Sequence, residues 1–133
     1  MLTFQPLEPK YTAGLNLEAI RIHVRGHKLR ELSIEDRTLE AHYTAFVVTQ
    51  SRKRVEEARQ QVSDLSHSRP IRDTQIAGRP ARVCELGTEP PPGDIGGRRP
   101  SVVCWHDAEI FYLIASDAIP SDELVRIATS LYR

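Results

Sequence analysis

A chain of 133 residues that is 40% apolar and 27% charged has the size and make-up of one ordinary globular domain, able to bury one core but not two. Lys+Arg and Asp+Glu number 18 each, and without a basic excess the chain has no footprint for neutralising phosphates, which excludes nucleic acid as the expected partner. The start, Met1-Leu-Thr-Phe-Gln-Pro6, lacks the basic-then-apolar layout of a signal peptide, and no run approaches the ~18 apolar residues of a membrane span, so the chain as given reads as soluble.

In chain order, Leu15 to Arg25 has Ile20, Ile22 and Val24 alternating with Arg21, His23 and Arg25, the period-two pattern of a strand with one wet face. Gly26-His27-Lys28 is expected to turn it. Leu32-Ser-Ile34 continues the alternation weakly, and Ala41 to Thr49, rich in aromatic and branched residues, is a stronger β run. These predict a three-stranded meander. Ser51 then stands as a cap before Arg52-Lys-Arg-Val, where Val55, Ala58, Val62 and Leu65 recur at helical spacing on a charged surface, predicting an amphipathic helix closed by the polar cluster ending at Pro70.

Ile71 to Ile76 and Pro80 to Leu86 read as two strands about a tight turn at Gly78, with Ala81, Val83 and Glu85 on one face and Arg82, Cys84 and Leu86 on the other. Thr88 to Pro100 holds three consecutive prolines and three glycines and is expected as an exposed loop, either functional or a plain spacer. Ser-Val-Val-Cys-Trp (101–105) and Ile-Phe-Tyr-Leu-Ile-Ala (110–115) form a hairpin about His106-Asp107-Ala108-Glu109. A closing helix follows, with Leu124, Ile127, Ala128 and Leu131 as its stripe, Val125 widening it, Ser121 as N-cap, Asp122 and Glu123 at its positive end and Arg133 at its negative end. The order β-β-β-α-β-β-β-β-α, with turns rather than helical crossovers between strands, predicts an α+β fold: a curved antiparallel sheet of about six or seven strands with two covering helices.

Two cysteines, Cys84 and Cys104, are too few for a zinc cage or a disulfide-rich scaffold. A hairpin centred near Asp94 sets them opposite each other, where either a cross-strand disulfide or a pair of buried reduced thiols fits. His23 and His27 have the four-residue spacing of a helical metal pair but lie where a strand runs into a turn, so they are expected as exposed histidines. His106-Asp107 is expected as turn residues, and Arg52-Lys53-Arg54 as a solvated face offset by Glu56 and Glu57. No serine elbow, phosphate loop, HExxH or CxxC occurs, and no catalytic, cofactor-binding or metal-ligating residue is assigned.

The pattern of the whole chain carries a family likeness: an opening Pro-containing segment with Gly14-Leu15 leading into a strand, Tyr43-Thr-Ala-Phe-Val-Val-Thr-Gln50 leading into a helix, Ile76-Ala-Gly-Arg-Pro-Ala81, and Val102-Val-Cys-Trp105 followed by a turn, Phe111-Tyr-Leu-Ile-Ala115 and Asp122 to Leu131. Together they resemble the extracytoplasmic C-terminal domain of unknown function of bacterial anti-sigma factors and predicted lipoproteins, itself similar to lipoprotein-sorting and sigma-regulator sensor domains. The resemblance implies a single domain, 1–133, belonging to a longer membrane-tethered protein. It implies a non-enzymatic sensor or interaction domain outside the cytoplasmic membrane, regulating a sigma-factor pathway through the tethered protein and binding a protein or envelope component. Two alternatives stand beside it: a carrier of an apolar ligand or lipoprotein in a cavity between sheet and helices, and a small enzyme using His106 or a cysteine. A plain cytosolic interaction domain is a third.

Overall fold

The computed structural model describes residues 5–29, 32–52, 71–84, 101–107 and 110–132. Among the described residues seven strands are present: β1 (Leu17–Leu29), β2 (Leu32–Tyr43), β3 (Val47–Arg52), β4 (Ile71–Ile76), β5 (Arg79–Cys84), β6 (Ser101–Asp107) and β7 (Ile110–Ser116), followed by the helix α1 (Ser121–Ser130). They form one open sheet in the order β1-β2-β3-β7-β6-β5-β4, with every neighbouring pair antiparallel. The three-stranded meander expected at the start is there as β1-β2-β3, and β4 to β7 form a second one, joined to the first by the pairing of β3 with β7.

The described residues hold one helix where two are expected. The amphipathic helix predicted after Ser51 lies outside the described residues except at its start, and there Ser51 and Arg52 are the last residues of β3, not a cap and first turn. Three other boundaries differ. Gly26-His27-Lys28 does not turn the chain, since β1 runs on to Leu29 in unbroken register with β2. The run Ala41 to Thr49 is divided by a turn at Thr44-Ala-Phe46, held by the Tyr43 N–H donating to the Phe46 carbonyl (2.8 Å) and by stacking of the two rings 4.5 Å apart. His106 and Asp107 belong to β6, paired with Phe111 and Ile110, because pairing with β7 satisfies their backbone better than a four-residue turn would.

The turn between β4 and β5 is the two-residue kind expected at Gly78. Ala77 (φ 51) and Gly78 (φ 84) both lie in the left-handed region that lets a hairpin match the twist of its strands, and Ile76 pairs with Arg79 across them.

Cross-strand pairing lines up residues in rows spanning the whole sheet. On one face the row Ile20–Ala41–Val48–Ile114–Val103–Val83–Arg72 crosses all seven strands, and the next is Ile22–Leu39–Gln50–Tyr112–Trp105–Ala81–Thr74. Helix α1 packs on this face. Leu124, Ile127, Ala128 and Leu131, the stripe read from sequence, join Val48, Val103, Trp105 and Ile114 in a single core cluster. Burying each such aliphatic side chain contributes roughly 1.5–3 kcal/mol. The helix begins from Pro120, in extended conformation with no side-chain cap, so Ser121 is its first helical residue and buried instead of its N-cap. Asp122 and Glu123 occupy the first turn as expected, favourable at the positive end of the dipole; Arg133 lies outside the described residues.

The N-terminal segment crosses the same face as a strap. The Leu7 N–H donates to Gln50 Oε1 and Gln50 Nε2 donates back to the Leu7 carbonyl, both at 2.8 Å, so a buried glutamine acts as a strand partner for one residue. Further along, the Lys10 and Tyr11 N–H groups donate to Ser130 Oγ (3.1 and 3.0 Å), and the Tyr11 hydroxyl donates to Glu123. That bond, followed by Arg126, holds the Glu123 carboxyl below its ordinary range.

Candidate functional site: an apolar edge strand

The two edges of the sheet finish differently. At β4 the rows end on Arg72 and Thr74, and Arg72 reaches Asp122 on α1 at 3.2 Å, a charged and partly covered edge of six residues. At β1 the rows end on Ile20 and Ile22, with Val24 following on the same face. These three are 58%, 49% and 55% exposed, on an edge strand of thirteen residues. Leu17, 46% exposed, continues the apolar surface toward the strand's start. The neighbours one strand inward, Ala41 and Leu39, are buried, so cover over this face stops between β2 and β1.

Local sequence explains the strand and tertiary structure explains its exposure. Alternating Ile, Ile and Val on a pleated backbone put all three on one side. An inner strand with this pattern would bury them, but β1 is last in the order, and its outward N–H and C=O groups have no strand beside them among the described residues. Leaving four aliphatic side chains half in water forgoes about 1 kcal/mol each. Natural edges are usually blunted by proline, charge or short length. The stripe of β1 has none of these on its helix-side face between Ile20 and Val24.

The other face of β1 is polar and internally compensated. Arg21 pairs across with Glu40, and His23 Nε2 shares a 2.5 Å hydrogen bond with Glu40 Oε1. His42 Nε2 lies 3.7 Å from the same carboxylate oxygen. The His23 side chain is exposed on this polar face, engaged with Glu40; that of His27, the other member of the four-residue pair, lies outside the described residues. Among the described residues no group of three or more histidine, cysteine or acidic side chains could hold a metal.

Cys84 and Cys104 are not joined in a disulfide, and both are fully buried on the sheet face opposite α1. The register sets Cys84 against Val102 and Cys104 against Arg82, two residues from the alignment centred on Asp94. That leaves the cysteines as diagonal neighbours, typically about 7–8 Å apart, outside the usual span of a disulfide. Burial, with Cys84 adding and Arg82 opposing, pushes the Cys104 thiol up to about 12, the wrong direction for a nucleophile at neutral pH. His106 lies two residues along the same face of β6, and its buried Nδ1 has no hydrogen-bond partner among the described residues.

Two open grooves are lined by Tyr43, Phe46 and Asp117 at the β2–β3 turn and by Asp73, Gln75 and Arg82 on β4–β5. Neither lies between sheet and helix, where Trp105, Leu124 and Ile127 are packed at 0% exposure. Among the described residues no helix is long and apolar enough to cross a membrane. The alternation in the sequence places Ile20, Ile22 and Val24 on one face of a strand but does not mark that strand as an edge. The chain matches no protein-family model, no curated protein and no solved structure.

Proposed function

We propose that this chain is a non-enzymatic interaction domain whose working surface is the edge strand β1, on which another polypeptide strand adds. The observation that carries the reading is the half-exposed Ile20-Ile22-Val24 stripe on a strand that is at the edge of the sheet among the described residues. Strand addition would satisfy the outward backbone groups of β1 while covering the stripe, so affinity comes from the main chain and specificity from alternate side chains. A setting outside the cytoplasmic membrane, in a tethered regulator of a sigma factor, is part of the proposal and is supported by the sequence resemblance alone. Carriage of an apolar ligand is not part of it, because the space where a carrier needs a cavity holds packed side chains among the described residues.

The test is a titration of the whole isotope-labelled chain with a synthetic peptide of alternating valine and glutamate. Shifts of amide resonances confined to Ala19–Val24 are expected, and their loss in Ile22→Lys. Shifts spread over the β4 edge or the grooves, with β1 unmoved, would overturn the reading.

A further inference from the structure

We infer that the strand added to β1 is the β1 of a second copy, running antiparallel about a two-fold axis at Ile22, so that seven strands from each copy form one continuous sheet. The inference rests on the reading of β1 as an interaction edge and names its partner.

The stripe is self-complementary in that arrangement. Ile22 meets Ile22 of the second copy and Ile20 meets Val24, so the apolar residues of each strand cover those of the other, as an isologous interface requires. On the opposite face Arg21 stands across from His23, so the two copies of Arg21 are not opposed. Each Arg21 and His23 already has Glu40 beside it. With 18 basic and 18 acidic residues, two copies also approach without net repulsion.

The hairpin geometry points the same way. Pairing of β2 with β3 ends at Thr38–Ser51, whereas β1 and β2 stay paired to Leu29–Leu32. The far part of the hairpin is thus two-stranded among the described residues, and such ribbons are marginal alone in water. In the proposed register the strand of the second copy runs past Ile22 beside Val24 to His27 and supplies the missing third strand. An edge contact with one stripe per copy belongs with small, transient interfaces, giving a dissociation constant on the order of 10 μM.

Sedimentation equilibrium of the full chain from low micromolar to millimolar concentration should show a reversible monomer–dimer transition. Ile22→Lys should weaken it at least tenfold while leaving circular dichroism and thermal unfolding of the monomer near those of the parent, because the side chain is half exposed. For register, mild oxidation of Ile22→Cys should give a covalent dimer, Ile20→Cys alone should not, and Ile20→Cys mixed with Val24→Cys should. A chain that stays monomeric throughout, a dimer indifferent to Ile22→Lys, or cross-linking through position 20 alone equal to that through 22 would each overturn the inference. If the chain is monomeric yet the valine–glutamate peptide shifts β1, only the second copy is lost as partner; if neither engages β1, the interaction edge falls as well.

Discussion

Replacing Gln50 by leucine removes both bonds that fasten the N-terminal strap to the sheet. Gln50 is 1% exposed and sits between Leu39 and Tyr112 in a cross-strand row, so leucine fits its place without meeting water. Two bonds of 2.8 Å are lost, each contributing about 0.5–1.5 kcal/mol net. The Leu7 N–H and carbonyl also lose their partner in a partly buried site, which raises the cost toward 1–3 kcal/mol per group unless the strap lifts into water. The extra apolar contact of leucine returns about 1 kcal/mol. The expected net loss in urea unfolding is therefore about 1–5 kcal/mol if the strap stays seated and at most about 2 kcal/mol if it lifts. Amide exchange separates the two ways of losing it. Leu7, Lys10 and Tyr11 should exchange much faster, by more than the global loss explains, while Ile114 in the centre of the sheet should change by the global loss alone. Gln50→Glu keeps an acceptor for the Leu7 N–H but loses the donor to its carbonyl and buries a carboxyl, so it should be no better than leucine at neutral pH. Equal exchange changes at Leu7 and Ile114 would refute the view that Gln50 substitutes for a strand.

Trp105 stacks on Tyr112 with centroids 5.0 Å apart and donates from Nε1 to the Tyr132 hydroxyl at 2.9 Å, while Arg79 lies 4.0 Å above the Tyr132 ring. Trp105→Ala is expected to cost about 3–5 kcal/mol and Trp105→Phe about half that, measured by denaturant unfolding; a Phe variant as damaged as Ala would mean that the hydrogen bond, not ring volume, dominates. The Cys104 thiol, raised from 9.0 to about 12 by burial, favours the protonated form in the folded chain. Its contribution is full below pH 9, where the unfolded thiol is also protonated, and is lost as pH rises through the folded value. Burial shifts the Tyr112 and Tyr132 phenols upward too, adding loss in the same direction above pH 10.0. Thermal stability should therefore fall progressively from about pH 9 upward, and Cys104→Val should remove part of that fall. Rapid labelling of Cys104 at pH 8 in the folded chain would contradict its burial.

Local pattern made much of the architecture legible. The seven strands, the tight turn at Gly78 and the apolar stripe of α1 all follow from alternation, turn chemistry and 3.6-residue spacing, which act within a few residues. The divided run at Ala41 to Thr49 escaped because its turn uses no glycine or proline; it is closed by the contact of Tyr43 with Phe46, which two apolar residues in a β run do not announce.

The cysteines show where sequence stops. The alignment that opposes Cys84 to Cys104 and the observed one differ by two residues, and a shift of two leaves every side chain on the same face. Apolar alternation therefore decides which way a strand faces but cannot choose between such registers. The candidate site has the same origin. The sequence by itself determined that Ile20, Ile22 and Val24 share one side of a strand. That this strand is the outermost of seven, with its apolar side in water, was decided by the pairing of β3 with β7, segments about sixty residues apart in the chain. Periodicity is a property of neighbouring peptide units, whereas strand order is a competition among distant pairings, and only the folded chain resolves it.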